Sequence, residues 1–460
     1  MTSSLPITPT SAPSVAQKAS SHPKAATALF CGVFGLLLWG PLAFGETEPW
    51  SIFLIEAGAA ALLIFWISRQ MASGETKIKT SPLFPPMLAF AALIVVQLAT
   101  GSTAYRYRTI SSALMYCAYG MLCFLAIQVL RRTWQVRALA AGLSIYGFAL
   151  ATFSLIQGIA SNGKLYWIRA VPSGSGIYGP YVNHNHYAGL MEMLLPIPLV
   201  VSLSRQVHGW RKTMAAFAAA LMASTIFLSG SRGGMIAFAA QMALLAALLI
   251  WRKQPLKAAL ALGIFAMAVI GLVTWLGGGE VTERIASIHT ETRQELSGGV
   301  RLAIDRDCLK IVAHRPVLGW GLGVFPDIYP QFRSFYSNYL VDRAHNDYLQ
   351  LMVETGAVGI AIMLWFVAVA YRSALRKLRG RANTNSAVTL AALLGISGIL
   401  THSFFDFNLQ IPANAAFFFV LCVIAAMEPR FGRTRKHHDL ARATSGVTCM
   451  SEDFDTAAMG

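Results

Sequence analysis

The run Arg343-Ala-His-Asn-Asp-Tyr348 sets a guanidinium, an imidazole and a carboxylate side by side, where a long polar stretch gives way to an apolar one. A neutral imidazole with a pKa near about 6.5 is suited to take the proton of an attacking hydroxyl, which makes His345 a candidate general base. Two further arginines stand at similar borders: Arg232 in Ser229-Gly-Ser-Arg-Gly-Gly234, and Arg301, second residue of the run Val300–Ala313. Planar guanidinium groups bind phosphate oxygens through two parallel, charge-assisted hydrogen bonds. Such a pair holds a diphosphate as negative charge builds on it, and so does part of what a metal would.

Composition says what kind of scaffold must bring these residues together. Hydrophobic residues make up 55% of the 460 and charged residues 13%, and mean hydropathy is +0.54, more than a soluble core requires. The chain is read as an all-α integral membrane protein. About twelve apolar runs are long enough to cross the hydrocarbon layer as helices. They are Ala26–Phe44, Ser51–Ile67, Leu83–Thr100, Ile110–Leu130, Val136–Gly158, Tyr187–Ser204, Thr213–Leu228, Met235–Trp251, Lys257–Leu276, Leu351–Tyr371, Val388–Phe407 and Ile411–Met427. This predicts a membrane domain over 26–428 with one long outer loop at about 277–346, flanked by tails at 1–25 and 429–460. The first tail, rich in Ser, Thr, Pro and Ala, is expected to be disordered, and about 25 polar residues before the first span do not make a cleavable secretion signal.

Orientation follows from the cations. Loops holding Arg69, Lys77 and Lys79; Arg131, Arg132 and Arg137; Arg205, Arg211 and Lys212; Arg252 and Lys253; and Arg372 to Arg381 alternate with cation-poor ones. The positive-inside rule puts that set, and both termini, in the cytoplasm. The other face receives Glu46 and Glu48, Arg106 and Arg108, the Ser161–His186 loop, the Gly230 turn and the long Gly277–His345 loop. A net charge of +16 is then explained by topology and anionic lipid, and nucleic-acid binding is not expected. The six cysteines are scattered through spans, loop and tail and suggest no disulfide framework.

Within the long loop, Val300–Ala313 sets Leu302, Leu309, Ile311, Val312 and Ala313 against Arg301, Asp305, Arg306 and Lys310, an amphipathic helical pattern that would lie on the membrane or cap the bundle. Pro316 ends it. Gly319-Trp-Gly-Leu-Gly323 is a turn that allows close backbone approach, without the strand and βαβ context of a dinucleotide fingerprint.

Other polar residues stand near the same face. Asn183 to Gly189 is expected to form a polar re-entry lining a site, bringing Asn183, His184, His186 and Tyr187; Trp167, Tyr178, Tyr181 and Tyr187 offer flat faces to sugar rings. His184 and His186 at i, i+2 lack a third ligand at metal spacing, so no metal site and no cofactor are read here. Carboxylates in apolar segments are costly and usually face a cavity or partner; Glu56, Glu192 and Asp406 are of this kind, with Asp406 beside His402. Each of these residues also has a purely structural reading. Arg232 is then a snorkelling or capping residue, Arg301 a solvated helix residue, and Asn346 and Asp347 a helix cap. Capping does not account for His345.

Taken together, Ser231-Arg-Gly-Gly234, Arg301 leading to His314-Arg-Pro316 and Gly319-Trp-Gly-Leu-Gly-Val-Phe325, and His345-Asn-Asp-Tyr-Leu-Gln-Leu351 followed by Glu354-Thr-Gly-Ala-Val-Gly359 resemble the O-antigen ligase and polymerase superfamily. Asn183-His-Asn-His-Tyr-Ala-Gly189 and His402-Ser-Phe-Phe-Asp-Phe-Asn-Leu-Gln-Ile-Pro-Ala-Asn414 are similar to motifs of its bacterial members, so the likeness runs from about Gly179 to Pro412. The resemblance implies metal-independent glycosyl transfer at the periplasmic face of a bacterial inner membrane. The donor would be a glycan on undecaprenyl diphosphate, and the acceptor a hydroxyl of lipid A core, another glycan or a protein. It matches Arg232 and Arg301 to diphosphate-binding arginines and His345 to the base. Asp305, Arg306 and Asp307 make the surroundings of Arg301 more charged than the family pattern, which puts Arg306 forward as a neighbour able to serve instead.

A transporter of an anion or lipid-linked sugar is the rival reading. It would want a midplane site between repeated halves, whereas no repeat is visible and the ionisable groups gather at one face. Ligase, polymerase and protein glycosyltransferase stay open, with the lack of a large soluble domain after Met427 favouring a glycan or lipid acceptor.

Overall fold

The computed structural model describes residues 23–427 apart from 75–77, 131, 172–175, 205, 278–297, 337–339 and 381–383. The expected disordered tail up to residue 22, the tail from 428 and the first part of the long loop lie outside the described residues. The regular elements among those described are helices: α1 Pro23–Leu42, α2 Pro49–Ser73, α3 Phe84–Ala99, α4 Arg106–Val129, α5 Thr133–Ile159, α6 His184–Leu194, α7 Pro196–Leu203, α8 Trp210–Leu228, α9 Arg232–Trp251, α10 Pro255–Gly277, α11 Gly298–His314, α12 Asp347–Leu378, α13 Thr384–His402 and α14 Pro412–Ala426.

Every apolar run read from the sequence falls on one of these helices. Nine stretches among the described residues are long and apolar enough to cross a membrane, α6 and α7 counting as one, while Phe84–Ala99, Ser386–His402 and Pro412–Ala426 are shorter. The run Val388–Phe407 was drawn too long, because the helix stops at His402 and the chain turns. Asp406 is therefore in a turn and not within a span.

The α6–α7 pair runs through the interior of the bundle, with Tyr187 to Leu195 almost wholly buried. It is broken at Leu195, before Pro196, which has no N–H to offer the helix ladder. Around it pack α8, α9 and α13, and α13 also lies along α14.

Contacts sort the loops into two ends. At one end Tyr166 Oη donates to Leu42 O (2.7 Å), Ala413 N to Gly45 O (3.1 Å), Arg315 Nη1 to Ser102 O (2.6 Å) and Asp347 N to Ser403 O (2.9 Å). At the other, Lys79 N donates to Gln128 Oε1 (2.8 Å), Arg252 Nη2 to Leu378 O (2.6 Å) and Lys377 Nζ to Ala425 O (2.8 Å). The second set belongs to the cation-rich loops.

The first end carries a small core of its own. Its buried stripe on α11 is Ile304, Cys308 and Ile311, spaced i, i+4 and i+7, packed on Phe325, Ile328, Tyr329, Ala344 and Val353. Leu302 and Leu309, expected on the apolar face, are exposed. The amphipathic helix thus caps the bundle, one helical phase away from the stripe drawn from sequence.

The cap is fastened to α12 at a break. Gly356 has φ 63° and ψ −167°, a conformation essentially confined to glycine, and splits α12 into a short outer part and a long inner one. The loop after α11 fills the gap: Ala357 N donates to Pro316 O (2.8 Å), Val358 N to Val317 O (3.2 Å), Trp320 N to Val353 O (3.0 Å) and Gly321 N to Glu354 O (2.9 Å). Gln97 Nε2 ties Leu318 O (2.6 Å) and Glu354 O (2.9 Å) together from α3. A Cβ on Gly356 would meet Val317 O at 2.3 Å, and one on Gly319 would meet the Glu354 carbonyl carbon at 2.5 Å. Gly356→Ala is therefore expected to cost about 1–3 kcal/mol in backbone strain alone, before any clash. Thermal unfolding of the detergent-purified variant checks this, and an unchanged midpoint refutes it.

Candidate functional site

The turn from His402 to Ile411 is where the polar residues converge. Phe405 N and Asp406 N both donate to His402 O (2.8 and 3.2 Å), and Asp406 Oδ1 accepts from Phe407 N (2.8 Å). A single 3₁₀ turn, Asn408–Gln410, then leads into α14, where Pro412 fits the first helical turn.

Arg301, on the first turn of α11, donates from Nη1 to Phe405 O (2.9 Å), while its Nε is buried with no hydrogen-bond partner among the described residues. Arg232 opens α9 behind the cap Ser231, whose Oγ accepts from Gly234 N (3.1 Å). The next residue, Gly233, lies against the same turn: a Cβ there would stand 2.7 Å from His402 Nε2 and 3.4 Å from Phe405 Cβ. The Arg232 side chain is exposed and makes no hydrogen bond or ion pair with a described residue. Arg301 thus bonds Phe405, and the residue after Arg232 lies against it.

His345 reaches the adjacent residue. Its Nδ1 lies 3.3 Å from Asp406 Oδ1, within ion-pair range but off hydrogen-bond alignment. Catalytic contacts are often loose before substrate is bound. His345 has φ 53°, an uncommon conformation for a residue other than glycine and one that gathers at functional sites. It is held there from both sides: Ala344 N donates to Gln350 Oε1 (3.1 Å), and Asn346 caps α12 by accepting from Tyr348 N and Leu349 N (3.2 Å each). Gln350 passes the tie on through Glu354, whose Oε2 accepts from Gly323 N (2.8 Å).

Asp347 is fixed to the same turn, its Oδ2 accepting from Ser403 Oγ (2.7 Å) and Leu409 N (3.0 Å), while Oδ1 is buried without a partner. From α6, Asn185 Nδ2 donates to Asp406 Oδ2 (2.5 Å). The rings of His186 and His345 both meet Phe407 edge-on, at 4.7 and 4.9 Å.

Burial by itself would raise the Asp406 carboxyl, but the facing imidazole of His345 and the charges of His186 and Arg301 hold it well below the ordinary carboxylate range. An ionised Asp406 facing His345 Nδ1 favours the proton on that nitrogen, leaving Nε2 to accept. Asp305 goes the other way: burial raises it, against the opposing pull of Arg301, Asn346 and His345.

Behind the turn, His402 Nδ1 and Glu192 Oε1 form a fully buried pair at 2.9 Å. Gln241 Nε2 anchors that region by donating to Glu192 O (2.7 Å) and Leu394 O (3.0 Å). This pair explains Glu192 as packed against the turn and not open to solvent.

Not every residue singled out in the sequence joins the cluster. Asn183 is the cap of α6, its Oδ1 accepting from Asn185 N (2.8 Å), so the expected re-entry is the first turns of a buried helix. His184 lies beside Gly176. Tyr187 is fully buried with Oη on Thr225 Oγ1 (2.9 Å), and Tyr181 on Asn414 Oδ1 (2.8 Å). Both are packing residues and offer no open face to a sugar. Asn185, Gln350 and Glu354 were missed, although the i, i+4 pair of polar residues in an apolar span was a visible signal for the last two.

Residues 217–364 match the family model described as O-antigen ligase. That stretch runs from within α8 to within α12 and contains Arg232, Arg301 and His345. No curated protein matches the chain.

Proposed function

From the match of residues 217–364 to the O-antigen ligase family model, we propose that the chain is a member of the O-antigen ligase and polymerase superfamily, a periplasmic-face glycosyltransferase that moves a glycan from undecaprenyl diphosphate to an acceptor hydroxyl. The acceptor is a sugar hydroxyl on another glycan or on lipid A core. The reading is carried by one observation: a single turn, His402 to Asp406, receives Arg301 at Phe405, packs against the residue after Arg232, and faces His345 with Asp406.

In this scheme the acceptor oxygen attacks the anomeric carbon as its proton passes to His345 Nε2. The bond from that carbon to the diphosphate oxygen breaks, and its electron pair leaves with undecaprenyl diphosphate. Arg232 and Arg301 take the developing charge, Arg301 with its unpartnered Nε, so the step calls for no metal. Asp406 orients the base, and direct displacement inverts the anomeric centre. Asp347, His186, Asn183, His184 and Asn185 border or support the glycan side, while Tyr187 supports it only from the core.

An apolar route supports a lipid-linked donor. A cavity of about 700 Å³ between α3, α4, α12 and α14, walled by Phe90, Ile94, Ala113 and Phe366, shares Tyr116, Met363 and Phe419 with a smaller one of about 120 Å³ that reaches Asp347 and Tyr348. The prenyl chain runs along this route, bringing its diphosphate up to the turn. The three shorter helices cross with the nine longer stretches to make twelve spans. The cation-rich end with both termini then faces the cytoplasm of a bacterial inner membrane.

The test uses purified protein in vesicles with an undecaprenyl-diphosphate-linked glycan and a hydroxyl acceptor. Acceptor-dependent release of undecaprenyl diphosphate that persists in EDTA is expected. Movement of the intact lipid-linked glycan without release would replace this reading by a transporter. In a deletion strain, accumulation of single lipid-linked units marks a polymerase and of finished chains a ligase.

A further inference from the structure

The end of the bundle away from the candidate site holds an open cavity of about 700 Å³ between α5 and α8, roofed by the joint from α7 to α8. Its walls are apolar: Ile145 and Phe148 on α5, Met214 and Phe217 on α8. Ile145, Met214 and Phe217 are exposed on the flank of the bundle, so the cavity opens sideways, toward where lipid chains lie. Its mouth is cationic. Arg137 and Arg211 stand there with Trp210, and none of the described residues that line the cavity is acidic. The two arginines sit in the first turns of α5 and α8, at the level where headgroups meet hydrocarbon, and an exposed Trp210 beside them suits that level too. From Arg137 to Phe148 α5 rises about 16 Å, close to the roughly 15 Å of one hydrocarbon leaflet.

We propose that this cavity is a site for one anionic phospholipid, its phosphate between Arg137 and Arg211 and one acyl chain along Phe148 and Phe217. Basic pockets between spans at the cation-rich face take such headgroups, and guanidinium forks suit phosphate oxygens better than a point charge would. The shape selects the lipid over a free anion, because the greater part of the cavity is apolar wall that a small phosphate leaves empty. The inference stands apart from the glycan reading, since none of these residues touches the turn at the other end.

Native mass spectrometry of the purified full chain, titrated in turn with phosphatidylglycerol and phosphatidylcholine, tests it. One phosphatidylglycerol is expected to be retained in preference to phosphatidylcholine. Replacing both Arg137→Gln and Arg211→Gln is expected to weaken that binding about 10- to 30-fold, with Lys at both positions keeping part of it. Ala141→Trp, which fills the cavity from an exposed position, weakens phosphatidylglycerol while leaving the arginines in place. Equal retention of the two lipids by the wild type, or unchanged phosphatidylglycerol binding in both the double-Gln and Ala141→Trp proteins, overturns the proposal.

Discussion

His345→Ala is expected to lower acceptor-dependent release of undecaprenyl diphosphate by about 10²–10⁴-fold, the range that a positioned general base supplies. The loss belongs in turnover, since the imidazole acts on the proton that moves in the transition state. Donor binding should change little. Some loss of stability is expected beside it, measured by thermal unfolding, because the ring meets Phe407 edge-on and faces the buried Asp406, and Ala adopts φ 53° no more easily. Asp406→Asn is the companion variant. It keeps the shape of the turn but removes the charge facing Nδ1, and should cost less than the loss of the imidazole itself. Turnover within a factor of two of wild type in His345→Ala would remove the base from the scheme, whatever becomes of the arginines.

Arg232→Ala and Arg301→Ala should each lower turnover by about 10²–10³-fold, the usual effect of removing one preorganised donor from a charge-developing centre. Their stability effects should differ. Arg232 is exposed and makes no polar contact with a described residue, so its loss should stay within about 0.5 kcal/mol. Arg301 holds Phe405 O, and its loss removes a hydrogen bond worth about 1–3 kcal/mol when one partner is charged. Lysine at either position should restore only part of the rate, lacking the planar fork. Kinetics and melting curves on the same preparations check both halves. A rate deficit that tracks the melting temperature in both variants would make the arginines structural.

Arg232, Arg301 and His345 were visible as candidates because each stands at the head of an apolar or amphipathic stretch, next to polar sequence. The turn that gathers their neighbourhoods was not. Phe405 contributes a backbone carbonyl, and a carbonyl leaves no mark on residue type. Gly356 was hidden for a related reason: it falls inside the apolar run Leu351–Tyr371, and the carbonyls that replace its helix bonds come from Pro316 and Val317, distant in sequence. Helical phase accounts for two other differences. An aromatic at the head of a span faces outward or inward according to a rotation the sequence constrains weakly, and Tyr187 faces inward against Thr225. On α11 the interior residues are Ile304, Cys308 and Ile311, not Leu302 and Leu309, because the cap presents its surface to that side. The helical spans themselves were readable almost to their ends, since length and unbroken apolarity decide them.

The break at Gly356 gives α12 the character of an expansion joint. Below it, the long inner part of the helix is free to match its tilt to the thickness of the surrounding bilayer, as transmembrane helices do. Above it, Asp347 to Thr355 take their bearing from Trp320 and Gly321 of the cap, whose N–H groups donate to Val353 O and Glu354 O, and from Gln97 of α3. An uninterrupted helix would carry any change of tilt straight to its first turn, and so to His345. Here the hydrogen-bond ladder changes hands at Gly356, and the outer turns that carry His345 toward Asp406 are fastened to the cap as well as to the spans.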